Sequence, residues 1–491
     1  MPTNISADVQ AAMPLIILWA AASLILLGDA WVWPRHRDLN VLVAIVGFLA
    51  ALSVVVQRMG LGITTAFGKM LSVDPLGDTA TVALLLTGFL AALLAWTYLK
   101  NRGIDHGEYY ALLLFSVSGA VLMASAGDLI VVFLGLEVMS FGLYVLAGFA
   151  RTEARSQEAS LKYFLLGAFA SAFLLYGIAL VYGGTQSTDL EQVRAVLSRT
   201  AGHPPMILAG VALILVGLGF KAALVPFHQW TPDVYEGAPT SATAFMAVAA
   251  KIGAFVAILR VFDSLVALQG SWLPAVQALA VLSMVFGNLL AVAQTNVKRM
   301  LAYSSIAHAG YLLVAVAAAA HGASGFSGSE ARSLAMNGAM FYLYAYAFMT
   351  LGAFGVLVYL TGRGRDIQRI EDLRGLARRD GLAAYGMLFF MLSLGGIPPT
   401  MGFMGKWMIF NAALHAGEVA LAVVMALTSV IAVYYYLRIV WVMCFEEPVG
   451  EPLAEPISRA GAWASVMVSA VATLLFGVVP GLFTSLLAGV R

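Results

Sequence analysis

Charge is what this sequence has least of. Of 491 residues only 11% are charged, 27 basic and 26 acidic, for a formal net charge of +1. A soluble domain of this length would need far more charge to cover its surface. The near-zero net charge also gives no field to attract nucleic acid or another polyanion. Cysteine is scarcer still. Cys444 stands alone, which excludes an intrachain disulfide framework and a Cys-ligated iron–sulfur cluster. It reads as a small apolar filler in a helix. There is no P-loop, zinc motif or nucleophile elbow. Gly217-x-Gly219-x-x-Ala222 matches a dinucleotide fingerprint only superficially, since no strand precedes it and it falls inside an apolar run. The chain is therefore expected to perform no redox chemistry of its own. Lysine and arginine are also missing ahead of the first apolar run, where a cleaved signal peptide would carry them, so the first helix is expected to stay.

What is abundant is apolar sequence, 61% of the residues, with a mean hydropathy of +0.90. Runs of about 20 apolar residues recur along the chain, each long enough to cross a hydrocarbon core of about 30 Å. About 14 spans are expected, near 11–28, 39–59, 77–99, 109–126, 127–149, 159–183, 206–229, 240–261, 272–293, 300–320, 336–361, 382–411, 417–443 and 461–489. A spanning segment must satisfy its own backbone hydrogen bonds, and the alternation of a membrane β-barrel is absent, so the spans are helices. Abundant Gly and Ala suit close helix contacts in lipid. No polar block is long enough to fold alone. The expectation is an all-α polytopic membrane protein, with residues 1–491 forming a single membrane domain.

Lysine and arginine are unevenly shared between the two sides. Loops after odd-numbered spans carry about 17 and the other side about 7. Arg363, Arg365, Arg369, Arg374, Arg378 and Arg379 crowd the loop before the twelfth span. That loop is expected to be cytoplasmic and both termini to lie outside.

Three lysines remain, Lys221, Lys251 and Lys406, each inside an apolar run, together with one carboxylate, Glu137. At 1.5 Å per helical residue, Glu137 lies about 13 Å from Asp128 and about 21 Å from Arg151, near mid-membrane. Lys251 lies at similar depth, about 13 Å before Arg260. A charge there costs about 2.5–3.5 kcal/mol on insertion scales and normally faces a protein interior or wet cavity. One buried pair could be a static packing device. Three lysines and a carboxylate on separate helices point instead to proton transfer, because a static scaffold could bury leucine without loss. Lysine is well suited to carrying a proton. Desolvation and a nearby carboxylate push its proton affinity in opposite directions, whereas arginine effectively never deprotonates.

Two spans carry breaks beside these lysines. Pro226 follows Lys221 and is expected to press on the carbonyl of Ala222; Gly395-Gly396-Ile397-Pro398-Pro399 precedes Lys406 and frees the carbonyls of Leu394 and Gly395. One such proline is an ordinary kink; paired breaks mark an ion site built from discontinuous helices. His228 and His308 are further candidates, since neutral imidazole relays protons near neutral pH. A hydrogen-bonded structural histidine is an equal reading for His308 and the better one for His228, nearer the membrane edge.

The stretches Leu136-Glu137, Glu158-Ala159-Ser160-Leu161-Lys162-Tyr163-Phe164, Gly219-Phe220-Lys221 through Pro226-Phe227-His228, and Trp230-Thr231-Pro232-Asp233-Val234-Tyr235-Glu236-Gly237-Ala238-Pro239-Thr240 form a recognisable set. So do Gln294-Thr295-Asn296-Val297-Lys298-Arg299, Gly396-Ile397-Pro398-Pro399-Thr400 through Lys406, and Tyr434-Tyr435-Tyr436-Leu437-Arg438. Together they resemble the subunit N family of bacterial proton-pumping NADH:quinone oxidoreductase (respiratory complex I), which belongs with the Mrp-type antiporter-like subunits. The resemblance covers roughly residues 110–445. It implies two inverted five-helix repeats, at about 105–262 and about 270–445; the residues alone give only the paired breaks. It implies that Glu137 tunes Lys221, that Lys251 connects along the midplane and that Lys406 leads to the exit. Lys406 separates this family from subunit-M-like relatives, which carry glutamate there. The chain is also expected to lack the long lateral helix of subunit-L-like relatives.

By the same resemblance, the chain is a non-redox, proton-translocating part of the enzyme in a bacterial inner (plasma) membrane. FMN, iron–sulfur clusters and quinone then belong to partner subunits, and its own partners are the other membrane and peripheral subunits, the lipid bilayer, protons and water. The alternative is a subunit of a Mrp-type cation/proton antiporter, against which the Thr231–Thr240 segment speaks. A purely structural membrane scaffold is a third reading, and the buried lysines argue against it.

Overall fold

The computed structural model describes residues 5–33, 36–59, 64–199, 202, 204–321, 326–362, 366–448 and 456–487. Arg363 and Arg365 of the basic loop, the first four residues and Arg491 lie outside them. Helices dominate: α1 (Ile5–Leu27), α2 (Asp38–Arg58), α3 (Pro75–Arg102), α4 (Gly107–Ala124), α5 (Leu129–Ala147), α6 (Ala154–Thr185), α7 (Leu190–Arg199), α8 (Pro205–Lys221), α9 (Trp230–Gly237) and α10 (Thr240–Ser264). They continue as α11 (Gln269–Val292), α12 (Val297–His321), α13 (Phe326–Tyr359), α14 (Leu376–Arg379), α15 (Gly381–Gly395), α16 (Met401–His415), α17 (Val419–Cys444), α18 (Ala460–Val478) and α19 (Pro480–Leu487). Among the described residues 12 helices are long and apolar enough to cross a membrane. Two interrupted spans, α8–α9 and α15–α16, bring the number to the expected fourteen.

Four local features differ from expectation. A small antiparallel hairpin, β1 (Thr64–Ala66) with β2 (Leu71–Val73), and the amphipathic α7 lie between spans. The last span stops at Val478 and resumes at Pro480, since proline cannot continue the hydrogen-bond ladder. The seventh span is not one kinked helix. α8 ends at Lys221, a turn before Pro226, and α9 begins only at Trp230. Pro226 therefore presses on no helical carbonyl of Ala222.

Both interrupted spans end their first half with the same turn. At the end of α8, Leu224 N–H donates to the Gly219 carbonyl (2.8 Å) and Ala223 N–H to that of Phe220 (3.0 Å). At the end of α15, Ile397 N–H donates to Leu392 (3.0 Å) and Gly396 N–H to Ser393 (3.0 Å). These are the paired bonds of a Schellman motif, with its left-handed residue at Ala223 (φ 61°) and Gly396 (φ 83°). A proline follows three residues later in each case, at Pro226 and Pro399.

The centre of the molecule is α10, α12 and α13, buried along nearly their whole length. Small residues bring helices close enough to build it. A Cβ at Gly119 would sit 2.2 Å from the Met139 amide nitrogen, so α4 and α5 touch backbone to backbone; Gly287 does the same for α11 and α12, 2.6 Å from the nitrogen of Ala307. Outer helices such as α6 and α17 keep exposed faces of Leu161, Phe169 and Tyr176, and of Leu427, Val430 and Trp441. Such apolar surface suits hydrocarbon or a membrane partner rather than water.

Candidate functional site

Lys221 is the last residue of α8, 3% exposed, and its ammonium donates to Ser140 Oγ (2.8 Å) on α5 and to the Tyr163 hydroxyl (3.0 Å) on α6. The rings of Tyr163 and Tyr144 lie 5.0 and 5.7 Å from its nitrogen. Glu137 sits one turn before Ser140 on α5, half-buried, with its Oε1 buried and without a hydrogen-bond partner. Glu137 and Lys221 form no direct ion pair; the Ser140 hydroxyl, which donates to the Leu136 carbonyl (2.5 Å), stands between their helices. The static Glu137–lysine pair weighed from sequence is thus not what the fold builds.

Lys251 lies mid-way along α10, also 3% exposed. Its ammonium donates to the carbonyl of Ser305 and to Ser305 Oγ (2.8 Å) on α12, and it lies 4.8 Å from the Tyr346 ring of α13. Tyr346 in turn donates its hydroxyl to Ser305 Oγ (2.8 Å). His308, one turn along α12, is fully buried between hydroxyls, with Nδ1 against Tyr342 and Nε2 3.1 Å from Tyr436. Its ring neighbours are Tyr346 at 5.3 Å, on the Lys251 side, and Tyr311 at 5.6 Å.

Tyr311 leads to Lys406, whose nitrogen is 5.2 Å from that ring. Lys406 sits on α16, 8% exposed, and reaches back across the break to the carbonyls of Leu394 (3.1 Å) and Gly395 (3.0 Å). The Schellman turn has already satisfied Leu392 and Ser393, so Lys406 takes the next two carbonyls. Gly396 makes room for it, since a Cβ there would stand 2.9 Å from the lysine Cδ. Each of these three lysines therefore has two acceptors, which offsets the large desolvation cost of its ammonium.

The fold thus brings Lys221, Lys251, His308 and Lys406 onto one buried polar line, with Glu137 at its α5 end. His228 is not brought to it. It lies half-buried in the segment between α8 and α9, its Nδ1 without a partner. Sequence reasoning did not assign Ser140, Tyr163, Tyr235, Tyr342, Tyr346 or Tyr436. Tyr235, on α9, turns its hydroxyl toward the Ser305 side chain, while Trp230 of the same helix stacks on Tyr163 at 4.3 Å. Tyr163, Tyr235 and Tyr436 stood inside the stretches that carry the family resemblance but without a role; Ser140, Tyr342 and Tyr346 are ordinary residues of apolar helices distant in sequence. Among the described residues no group of His, Cys, Asp and Glu could hold a metal ion.

The family model described as NADH:quinone oxidoreductase/Mrp antiporter, transmembrane, matches residues 126–432. NADH-quinone oxidoreductase subunit N of Chloroflexus aggregans is 44% identical over 482 residues, 96% of this chain and 95% of its own. Subunit N 1 of Sorangium cellulosum is 49% identical over 408 residues, covering 81% of this chain and 78% of its own. The chain belongs to the subunit N family. A chain in the structure of respiratory complex I from Thermus thermophilus with bound aureothin superposes with a TM-score of 0.79 at 36% identity, over 96% of this chain and 98% of that one. A chain of the Mrp complex from Dietzia shares the fold, with a TM-score of 0.83 over 98% and 96% of the two chains, at 23% identity. The stretch matched by the family model contains Glu137, all three lysines of the polar line and both breaks.

Proposed function

We propose that this chain is the proton-translocating, antiporter-like membrane subunit of a NADH:quinone oxidoreductase, driven by quinone reduction in partner subunits. The observation that carries this reading is the polar line itself. Three lysines are each buried on paired acceptors; Lys251, His308 and Lys406 are connected through serine and tyrosine side chains, and Lys221 is connected to that set through the ring contacts of Tyr163, Trp230 and Tyr235. Glu137, acting across Ser140, favours the charged form of Lys221. A proton leaving Lys221 passes toward Lys251, whose Ser305 partner is also faced by Tyr235 and Tyr346. His308, held between Tyr342 and Tyr436, accepts at one ring nitrogen as it releases from the other, and hands on to Lys406. Lysine is suited to each station because its pKa follows its surroundings.

Residues 105–262 and 270–445 form two inverted repeats in this reading, supported by the shared turn at the ends of α8 and α15. The chain holds no redox cofactor; flavin, iron–sulfur clusters and quinone sit in partner subunits. The loop from Gly362 to Gly381 faces the cytoplasm and both termini face the periplasm of a bacterial inner membrane, so alkaline phosphatase fused after Gly375 stays inactive. The Mrp-type reading has the shared fold in its favour, and fold alone does not assign function.

The test is made in the assembled complex. Lys221→Ala and Lys406→Ala should impair both proton translocation and the quinone reduction coupled to it, as should Glu137→Gln, while Glu137→Asp preserves part. Assembly is checked in parallel, because an unpaired buried charge destabilises by about 3–5 kcal/mol. Normal pumping stoichiometry and rate in fully assembled Lys221→Ala and Lys406→Ala complexes would leave a static scaffold instead.

A further inference from the structure

Lys298 is a fourth buried lysine, 2% exposed, and it lies off the polar line. It opens the first turn of α12, and its ammonium donates to the carbonyl of Ala238 (2.8 Å), the residue that caps the C-terminal end of α9. The next residue, Arg299, reaches the same helix, pairing with Asp233 (2.7 Å) and Glu236 (3.1 Å). Asp233 is also held from the other side by Lys162 of α6 (2.8 Å), which keeps Glu158 (2.7 Å) as a second partner. Arg299, Asp233, Glu236, Lys162 and Glu158, with Arg155, line a polar cleft at that end of the molecule; Lys298 lies beneath it, out of solvent.

Eight residues cannot hold a helix by themselves, so α9 exists only through what grips it. Its start is fixed by Trp230, which stacks on Tyr163 and donates Nε1–H to the Phe220 carbonyl (2.9 Å). Its far end, where helix carbonyls lack partners and carry partial negative charge, meets the Lys298 ammonium. Single exposed ion pairs contribute little. Here two basic residues converge on one short helix from a neighbour, and Lys298 does so out of solvent. The neighbour is α12, which also carries Ser305 and His308.

α9 spans the gap between two of the buried lysines. Trp230 packs on the tyrosine that bonds Lys221, and Tyr235 faces the serine that bonds Lys251. We propose that Lys298 and Arg299 are positioning residues: from α12 they clamp α9, so that its Trp230 and Tyr235 join the Lys221 and Lys251 sites. The clamp ties the second half of the molecule to the first at the point where a proton passes between them. It rests on the proton-transfer reading for its purpose, but not for its existence.

The experiment therefore reads the clamp and the transfer separately, in the whole complex. Arg299→Gln should make the backbone amides of residues 230–238 exchange with deuterium roughly tenfold faster, while those of α10 stay as they are. Coupled proton translocation should fall several-fold, and Arg299→Lys should recover both. Tyr235→Phe should lower translocation with no change in α9 exchange. If Arg299→Gln does not assemble, Glu236→Gln, which removes one of the two carboxylates, gives the same reading in weaker form. Unchanged exchange in an assembled variant overturns the clamp. Faster exchange with normal translocation overturns its role in transfer. Loss of the proton-transfer reading itself would show instead as normal pumping by Lys221→Ala, whatever α9 does.

Discussion

Lys221 and Lys406 lie beside breaks that share one backbone turn, yet they find their acceptors by different routes. Lys221 belongs to the half-helix before the break and bonds to side-chain hydroxyls from α5 and α6, Ser140 and Tyr163. Lys406 belongs to the half-helix after the break and bonds to backbone carbonyls at the end of the half before it. Hydroxyls donate as well as accept, so Ser140 and Tyr163 can reverse roles when the ammonium becomes an amine. Carbonyls only accept. A neutral amine still has two N–H groups for Leu394 and Gly395, so Lys406 can lose its proton without leaving either carbonyl unpaired. The first site is built from replaceable side chains, with the Glu137 carboxylate one turn from Ser140. The second is built from the break itself. At the same sequence distance from the left-handed residue as Lys406, the first half has Asp233 on α9, which turns outward to Lys162 and Arg299.

Lys406→Arg should break this comparison most sharply. Arginine can still donate to both carbonyls but does not release a proton, so translocation should drop about tenfold or more despite assembly. Activity within twofold of the native complex would mean that Lys406 only closes the break.

The hydroxyl shell of Lys221 comes next. Tyr163→Phe and Ser140→Ala each remove one acceptor from a buried ammonium, a cost of about 1–3 kcal/mol. The coupled rate should fall roughly fivefold or more, with a shift in its pH profile that a packing defect would not produce. A flat pH response would make the hydroxyls mere packing.

The shared turn provides substitutions of opposite sign. Gly396→Ala puts a Cβ against Lys406 at positive φ and should destabilise the complex by about 1–3 kcal/mol. Ala223→Gly relieves a left-handed alanine and should be neutral to stabilising, by about 1 kcal/mol at most. Thermal unfolding of the purified complex reads both. Equal effects would mean that the two turns are not equivalent.

The smallest effect is a background to be subtracted from any pH profile of the lysines. Asp105, in the loop between α3 and α4, has its carboxyl pushed up to about 6 by burial, against the opposing pull of Lys100 and Arg37. Its Oδ1 is buried without a partner. A carboxyl raised in the fold stabilises it most at low pH, and that contribution is lost as pH rises through about 6. Asp105→Asn should flatten thermal stability between about pH 4 and 6, leaving the alkaline side unchanged. A slope that persists there assigns it to other groups.

Much of the site was legible because a charge inside an apolar run is visible without coordinates. Lys221, Lys251, Lys406 and Glu137 stand out by that rule, and Pro226 and Pro399 mark the breaks because proline lacks an N–H. Lys298 was not legible. It sits beside Arg299 in a polar stretch that counts as a loop, and only its contact with Ala238 places it in the interior. The paired termination of α8 and α15 was hidden for a different reason. Alanine at position 223 gives no sign of the left-handed conformation that glycine suggests at position 396.

Apolar run length decided the membrane class and the number of spans, since hydrocarbon thickness and helix rise leave few other ways to bury such segments. The scarcity of charge made each buried lysine within an apolar run conspicuous. Tertiary structure decided the partners: that Ser140 rather than Glu137 touches Lys221, that Lys406 reaches back to its own break, that His308 lies between two tyrosines while His228 stays outside, and that α12 grips α9. Those choices depend on which helix faces meet and how closely small residues let them approach. Hydrogen bonds act over about 3 Å, and helix packing alone brings residues that are far apart in sequence within that range.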